Sequence, residues 1–285
     1  MPEVWRIGNV IPVFKNKGNK SDPKNYRPIT LLSNLGKIFT SVLNKRLCDY
    51  LDQLLILLEN QAGFRYGYST NDHIFSLYAL FELLKLKKKK LYCAFIDFQR
   101  AFDSIQRHLL LVKLMNNKID GKFFRIIQNM YNDIKSRIVH NNKKPDFFPC
   151  EIGVRQGEIL SPALFSIYLN DLQDFLEREN MSGLETISLD LENELDVYLK
   201  IFLFLYADDT VLLSDSSTEL QILLNKFANY CHNWKLQINT EKTKILIFSK
   251  GRVPQNLKFF IDKDEIEIVK EYKYLGIFFA RSGSF

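Results

Sequence analysis

Hydrophobic and polar positions alternate along this chain in two ways, one typical of helices and the other of strands. Apolar residues spaced three and four apart predict helices at about 35–47, 69–88, 121–134, 161–176 and 220–231. A further helix is expected from Ser104, with Asp103 as its N-cap residue. The buried face of the first helix is predicted to consist of Leu35, Ile38, Phe39, Val42, Leu43 and Leu47.

Short apolar runs predict the strands. They lie at 91–98 and near 243–249, 258–262, 265–269 and 272–279, with a hairpin around 143–146 and extended segments and loops within 1–34. Strands and helices are interleaved, but the hairpins are tight. We therefore expect an α+β fold in which an antiparallel sheet has helices packed on one side.

The least ordinary segment is 201–213, where two adjacent carboxylates, Asp208 and Asp209, interrupt an apolar run. The runs on either side are predicted to form a buried β-hairpin with the pair at its tip. Two like charges this close resist burial unless a cation neutralises them, and a divalent metal is the natural candidate. The alternative is an ordinary turn that contains Asp.

Length and composition describe a globular protein. The 285 residues allow one large domain or two small ones, and 46% of them are hydrophobic. The four cysteines lie far apart without metal-ligand spacing, so we expect reduced core thiols. No apolar run is long enough to span a bilayer and the first residues do not resemble a signal peptide, so an intracellular, soluble protein is expected.

Charge is unevenly distributed. The net charge of +6 equals that of residues 1–50, which hold nine basic and three acidic side chains. Such a basic end suits a polyanion such as nucleic acid. The lysine run at 87–90 is interpreted first as a solvated helix C-terminus, with nucleic-acid contact or targeting as alternatives. The acidic segment 183–198 is interpreted as a solvated connector.

A third carboxylate, Asp97, ends the strand predicted at 91–98. A sheet could bring it to the Asp208-Asp209 pair despite the distance along the chain. Three converging carboxylates suit two Mg²⁺ ions, which prefer hard oxygen ligands and serve in-line phosphoryl transfer. None of the four histidines lies in a recognisable catalytic context.

Seven blocks follow one another in order along the chain. They are 25–29 (NYRPI), 61–65 (QAGFR), 94–103 (AFIDFQRAFD), 153–162 (GVRQGEILSP), 206–209 (YADD), 236–243 (LQINTEKT) and 274–276 (YLG). Together they resemble the ordered blocks of reverse transcriptases from non-long-terminal-repeat retrotransposons. One block alone is a weak signal, whereas seven in this order are specific.

The resemblance implies a right-handed polymerase fold. Residues 1–90 would be a fingers-like N-terminal part and 91–285 the palm with part of the fingers, without the family's thumb, so that the chain resembles a fragment of a longer polyprotein. The implied activity is RNA-directed DNA polymerisation on an RNA template from a DNA primer with deoxynucleoside triphosphates. Because members of this family prime synthesis at chromosomal nicks, the resemblance also implies action in the nucleus.

The resemblance also implies roles for individual residues. Asp97 and Asp208 would bind two Mg²⁺ ions, with Mn²⁺ as a substitute, assisted by Asp209 and the Phe98 carbonyl. Phe102 would be a steric gate against the ribose 2′-hydroxyl, with core packing as the alternative. The remaining assignments are Gln156 and Gly157 at the nascent base pair, Arg27, Lys15 and Lys242 at the triphosphate or pyrophosphate, and Tyr274, Leu275 and Gly276 in the primer grip.

Alternatives remain at this point. Arg27 and Lys15 are equally well explained as surface charges, and Lys242 as a solvated lysine beside Glu241. The chain as a whole could be an inactive retroelement remnant that only binds nucleic acid. A relative of group II intron maturases would share the palm, but the Phe102-Asp103-Ser104 block and the acidic segment look more like those of mobile-element polymerases.

Overall fold

The structure is a computed structural model that describes residues 1–58, 60–140, 143, 145–178, 184–186, 199–201, 203–249, 251, 254 and 256–284. Its α-helices are α1 (Asn34–Gln53), α2 (Thr70–Leu86), α3 (Ala101–Ser104), α4 (Arg107–Asn116), α5 (Gly121–Tyr131), α6 (Ser161–Leu169), α7 (Leu172–Glu177) and α8 (Ser217–Asn233). Short 3₁₀ helices span Glu3–Trp5 and Pro23–Asn25.

Fifteen strands are assigned within the described residues. They are β1 (Ile7–Phe14), β2 (Tyr26–Leu31), β3 (Leu91–Ile96), β4 (Lys135–Ile138), β5 (Phe148–Pro149), β6 (Leu184–Thr186), β7 (Leu199–Ile201), β8 (Leu203–Tyr206), β9 (Asp209–Ser214), β10 (Lys244–Phe248), β11 (Phe259–Ile261), β12 (Asp264–Ile266), β13 (Ile268–Val269), β14 (Glu271–Tyr274) and β15 (Ile277–Ala280).

The chain forms two compact units, each assembled from two separate stretches of sequence. The first unit comprises residues 1–57 and 100–169, and the second comprises 58–99 and 170–285. The predicted division at residue 90 separates a fingers-like part from a palm part, so it is a different kind of boundary from that between the compact units. It stays a prediction.

The first unit contains a four-stranded sheet in the order β2-β1-β4-β5. The β1–β2 hairpin is antiparallel and pairs Val13 with Arg27, while β4 runs parallel to β1 and antiparallel to β5. The hairpin predicted around 143–146 is confirmed by the β4–β5 pairing, although Lys144 within it lies outside the described residues.

The second unit is built on a five-stranded sheet in the order β13-β10-β3-β9-β8. Its strands are antiparallel except β13, which runs parallel to β10. Every residue of β3 is buried, as expected for a central strand covered on both faces. The predicted α+β class with an antiparallel sheet is therefore confirmed.

Helices cover this sheet on both faces, so the expectation of helices on one side only is wrong. Leu91, Cys93 and Phe95 of β3 share one hydrophobic cluster with residues of α2 and of the β14–β15 hairpin. Tyr92, which points to the opposite face, is hydrogen-bonded to Ser217 at the start of α8. Tertiary packing, which the spacing of apolar residues does not reveal, decides which face each helix covers.

The buried face of α1 also differs from the prediction. Leu43 and Leu47 are buried as expected, but Leu35, Ile38 and Val42 are exposed. The face that packs inward instead consists of Gly36, Thr40, Leu43, Leu47 and Leu51. Apolar residues occupy more than one face of this helix, so their periodicity alone could not choose between the faces.

Two helix boundaries are corrections. The helix expected from Ser104 begins instead at Arg107, because Ile105 takes up an extended conformation and is fully buried; Asp103 lies within α3 and is not an N-cap. The single helix expected at 161–176 is divided into α6 and α7, with Asn170 and Asp171 between them. Short polar side chains of this kind compete with helical backbone bonds.

The remaining expectations have mixed outcomes. The four cysteines are free, with Cys93 and Cys231 buried and the other two half-buried. No helix among the described residues is long and apolar enough to cross a membrane. The acidic connector predicted at 183–198 lies outside the described residues apart from 184–186, where β6 pairs with β7.

Candidate active site

Asp97 directly follows β3, the central strand of the second unit, and its backbone is held on both sides. The Asp97 amide donates to Thr243 Oγ1 at 3.2 Å, and the Asp97 carbonyl accepts from the Asn239 amide at 2.7 Å. Thr243 is fully buried. The residue is therefore fixed at the end of the strand by the turn that leads into β10.

The carbonyl of Phe98 is directed away from that turn. Phe98 pairs with Ile238 in an antiparallel bridge whose hydrogen bonds run from Gln99 N to Gln237 O and from Asn239 N to Asp97 O. Phe98 and Ile238 are therefore a non-hydrogen-bonded pair of this antiparallel bridge. In such a pair the backbone groups point away from the partner strand, so the Phe98 carbonyl faces the β9 side. This orientation leaves it available as a backbone ligand.

The predicted hairpin is confirmed over β8 and β9, with its acidic pair at the tip; Ile201 belongs instead to β7, and Phe202 lies outside the described residues. Tyr206 pairs with Asp209, so Ala207 and Asp208 form the loop, and Ala207 has a left-handed backbone with φ of 58°. Ile96 pairs with Thr210 across β3 and β9. Continuing this register by one residue sets Asp97 beside Asp209, and the structure thereby brings the three carboxylates together.

Electrostatics at the tip are those of crowded like charges. Partial desolvation, followed by the neighbouring Asp208 and Asp97, raises the pKa of Asp209 to about 6. The pKa of Asp208 is also raised, first by desolvation and then by Asp97, although Lys242 acts in the opposite direction. The three carboxylates therefore carry more negative charge than the neighbouring cation, Lys242, offsets.

The donor chemistry of this cluster suits a hard cation. Asp97 Oδ2 is buried, accepts no hydrogen bond, and has Lys242 Nζ as an ion-pair partner at 3.4 Å. Among the described residues, no group of three or more His, Cys, Asp and Glu side chains is already gathered at metal-ligand geometry. The carboxylates nevertheless supply the oxygen ligands and the uncompensated charge that divalent metals require.

The β14–β15 hairpin carries Tyr274, Leu275 and Gly276. Leu275 and Gly276 form its two-residue turn with φ of 47° and 94°, the combination that type I′ turns require. The Tyr274 hydroxyl lies 3.3 Å from Nδ1 of His73, a buried histidine of α2. Burial lowers the pKa of His73 to about 4, so the imidazole is neutral.

Tyr272 of the same hairpin stacks on Phe95 with ring centroids 4.3 Å apart. Desolvation, followed by Asp209 and Asp97, raises its pKa to about 12. Because Phe95 lies on β3 two residues before Asp97, this stacking places Tyr272 near the carboxylate cluster. No signal in the sequence had pointed to Tyr272.

Phe102 belongs to the first unit, in α3. It is half-buried, and its ring stacks on Phe165 of α6 with centroids 4.9 Å apart. The Phe102 carbonyl accepts from the Val154 amide at 2.8 Å. The ring therefore does pack against the core of this unit, while part of it remains accessible.

Gln156 and Gly157 also lie in the first unit, in the loop before α6. Gln156 Nε2 donates to Asp103 Oδ2 at 3.0 Å, and its carbonyl accepts from the Thr30 amide. Gly157 has φ of 99°, and a Cβ there would lie 3.0 Å from the Thr30 carbonyl oxygen. The positive φ therefore favours glycine here, and a side chain would also crowd the Thr30 carbonyl.

Arg27 and Lys15 are exposed on the β1–β2 hairpin of the first unit. Because Val13 pairs with Arg27, Lys15 is its diagonal neighbour on the same face. The Lys15 ammonium donates to the Lys24 carbonyl at 2.8 Å. The two cations thus share an exposed surface of this hairpin.

Sequence reasoning missed several residues that support these positions. They are Gly63, which lies against the hairpin tip, Thr243, which holds Asp97, and Asp103, which holds Gln156. Each lies in one of the seven blocks, so the blocks were the available signal. The blocks did not reveal which side chains would meet.

Several known proteins resemble this chain in sequence. The family model described as reverse transcriptase (RNA-dependent DNA polymerase) matches residues 15–279. The chain is 27% identical over 285 residues to a probable RNA-directed DNA polymerase from transposon BS of Drosophila melanogaster, and 26% identical over 291 residues to that of the mobile element jockey from the same species. These two matches cover 97% and 100% of this chain, which spans about 30% of the length of each relative.

Solved structures show the same fold at low sequence identity. Telomerase from Candida tropicalis, in complex with a fragment of telomeric RNA, matches with a TM-score of 0.65 and 14% identity over 97% of this chain and 44% of that chain. Apo telomerase from the same species, truncated from its C-terminal domain, matches with a TM-score of 0.58 over 92% of this chain and 53% of that chain. With the family model covering most of its length, this chain belongs to the reverse transcriptase (RNA-dependent DNA polymerase) family.

Proposed function

We propose that this chain is the polymerase portion of a non-long-terminal-repeat retrotransposon protein, and that it adds deoxynucleotides to a DNA primer on an RNA template. The observation that carries the proposal is the meeting of Asp97, Asp208 and Asp209 at one end of the β3–β9 pair. The curated relatives are RNA-directed DNA polymerases of mobile elements, and this chain spans about 30% of their length.

The carboxylates would hold two Mg²⁺ ions, or Mn²⁺ in their place, with the Phe98 carbonyl as a backbone ligand. When bound, such ions would supply activation of the primer 3′-hydroxyl and neutralisation of charge on the departing pyrophosphate. In the reaction, the primer 3′-hydroxyl would lose its proton to solvent and its oxygen would bond to the α-phosphorus. The bond from that phosphorus to the oxygen that bridges the α- and β-phosphates would break and release pyrophosphate.

Lys242 supports this assignment because its ammonium lies beside Asp97. It would donate a proton to the leaving pyrophosphate, as a general acid does. Phe102 would exclude the ribose 2′-hydroxyl, Gln156 and Gly157 would contact the nascent base pair, and Arg27 and Lys15 would bind triphosphate oxygens. The Tyr274–Gly276 turn would support the primer.

The polymerase assignment extends to architecture and place of action. Residues 1–90 would act as a fingers-like part and the remainder as palm with part of the fingers. Action in the nucleus, at chromosomal primers, belongs to the same proposal. Imaging a fluorescent fusion of the chain in cells would test it, and exclusion from the nucleus would contradict it.

The decisive experiment is single-nucleotide addition to a DNA primer annealed to RNA, with Mg²⁺ present. We expect extension by the unmodified chain, and its abolition by Asp208→Asn with nucleic-acid binding retained. Asp262→Asn is a matched control. Asp262 is an exposed acid on the β11–β12 turn and forms an ion pair with His232 of α8. Full activity in Asp208→Asn would refute the metal-site argument.

The same experiment separates polymerase activity from the second candidate function, an inactive remnant that only binds nucleic acid. The basic segment 1–50 favours that candidate, because phosphate contacts alone give non-specific affinity. Binding of primed template without any extension by the unmodified chain would select the remnant. Extension would exclude it.

A further inference from the structure

Residues 60–63, which we call the brace, lie alongside β8 in the second unit. The Leu205 amide donates to the Asn60 carbonyl at 2.9 Å, and the Ala62 amide donates to the Leu205 carbonyl at 3.0 Å. Gln61 forms a parallel bridge with Leu205 between these two bonds. The brace therefore adds one short strand segment to the outer edge of the sheet, next to the hairpin that carries the acidic pair.

Side chains fix the brace in place. Arg65 Nη1 donates to the carbonyls of Leu58 and Gln61 at 2.8 and 3.2 Å, and the Gly63 amide donates to Gln61 Oε1 at 3.2 Å. Gln61 is only 2% exposed. Asn60 Nδ2 donates to Gln173 Oε1 at 2.6 Å. The brace thus has several anchors besides its bonds to β8.

Gly63 is where the brace presses on the hairpin tip. A Cβ added to Gly63 would lie 2.1 Å from the Ala207 nitrogen and 2.8 Å from the Tyr206 carbonyl carbon. Both atoms belong to the backbone, so no side-chain rotation could relieve the overlap. Any side chain at position 63 therefore requires the backbone of the brace or of the hairpin tip to shift.

We propose that Gly63 is a positioning residue that sets where Asp208 stands relative to Asp97. Its missing side chain allows the tip to seat against the brace, and the brace in turn prevents the tip from moving outward. The inference rests on the proposed function for the purpose of the carboxylates. The packing that supports it is independent of any substrate.

The required displacement is large on the scale of metal coordination. For an ordinary contact distance, an added Cβ and the Ala207 nitrogen would have to move apart by about 1 Å more than the present backbone allows. A misplacement of about 1 Å at a catalytic group can reduce the reaction rate by about 100-fold. Changes in residues that only support metal ligands typically weaken metal binding by about 10–100-fold. We therefore expect Gly63→Ala to act on cation binding itself.

The test measures Mn²⁺ affinity of the whole 285-residue chain by the electron paramagnetic resonance signal of free Mn²⁺. Gly63→Ala should bind Mn²⁺ at least about tenfold more weakly while retaining the circular dichroism spectrum of the unmodified chain. Gly36→Ala is the matched control, because a Cβ there meets nothing closer than 3.5 Å. Asp208→Asn reports the loss of affinity caused by removing a ligand.

A second-site change localises the effect. Ala207 has φ of 58°, where glycine is free of strain, so Ala207→Gly gives the tip room to relax. The Gly63→Ala/Ala207→Gly double variant should recover part of the lost affinity. Recovery of Mn²⁺ affinity would support positioning of Asp208 through the hairpin tip. If Ala207→Gly does not reduce the loss of affinity, the inference is overturned.

Other outcomes are equally decisive. Unchanged affinity in Gly63→Ala, or an equal loss in Gly36→Ala, would overturn the inference. Should Gly63→Ala not fold, Arg65→Gln loosens the brace without adding an atom at the tip, and wild-type affinity in that variant would also overturn it. If the unmodified chain binds Mn²⁺ but adds no nucleotide, the proposed function fails, and the variant affinities still decide the role of Gly63.

Discussion

The side-chain amide of Gln156 is held by the carboxylate of Asp103, with Nε2 donating to Oδ2 at 3.0 Å. Desolvation raises the pKa of Asp103, while Arg100 acts in the opposite direction. A hydrogen bond to a carboxylate in such surroundings is among the stronger ones in proteins. Asp103 therefore fixes the orientation of the residue that we assign to the nascent base pair.

Removing Asp103 should disturb nucleotide use through Gln156. We expect Asp103→Ala to raise the nucleotide KM by about tenfold, the equivalent of one hydrogen bond to a charged group. Steady-state single-nucleotide kinetics would measure this. In a double-mutant cycle, Asp103→Ala should add little to Gln156→Ala; additive losses would show that the two side chains act separately.

Phe102 should govern sugar discrimination. Phe102→Ala is expected to reduce the preference for deoxynucleotides over ribonucleotides by about tenfold or more, since it removes the ring that would exclude the 2′-hydroxyl. Competing single-nucleotide additions give the ratio directly. Phe165→Leu disturbs the stack on Phe102 but keeps the gate residue, so it should preserve discrimination. Unchanged discrimination in Phe102→Ala would leave core packing as its role.

Lys242 should contribute to the rate more than to metal binding. Lys242→Ala is expected to slow nucleotide addition by about 100-fold, within the range typical of general acids. Mn²⁺ affinity should hold or rise, because a cation 3.4 Å from Asp97 Oδ2 has been removed. Lys263→Ala, an exposed lysine in the β11–β12 turn, is the control. An undiminished rate in Lys242→Ala would make Lys242 a surface charge.

His73 should make the fold sensitive to mild acid. Its pKa is about 4 in the folded chain against 6.5 for the ordinary imidazole, so the unfolded chain binds more protons between these values. Stability is then full above pH 6.5 and falls as the pH drops towards 4, by about 3 kcal/mol in total for this group. Urea unfolding of the unmodified chain and of His73→Leu, compared from pH 7 to 4.5, measures the difference; parallel pH profiles would contradict it.

Much of the local structure followed from the sequence because its causes are local. The acidic hairpin was recognisable from apolar arms on either side of Asp208 and Asp209, and α8 from buried residues at helical spacing. The sequence did not reveal which face of the sheet each helix covers, because the packing of α2 on β3 depends on the side chains of the whole core. The exposed Leu35 and Ile38 of α1 show the same limit of periodicity.

The candidate site divides in the same way. Strand ends and turns identified the three aspartates, since charge in an apolar run is conspicuous. Gly63 and Thr243 escaped notice because their importance lies in contacts with Ala207 and Asp97, residues more than a hundred positions away. A glycine whose absent Cβ faces a distant backbone leaves no trace in local patterning.

The brace has a further consequence, for self-association of the protein. Unpaired backbone groups along an edge strand invite pairing with other chains, and proteins commonly cover such edges. Residues 60–63 already occupy the hydrogen-bonding groups of Leu205 on the outer side of β8. We expect a version of the chain that lacks this segment to offer β8 as an open template and to aggregate more readily than the unmodified chain.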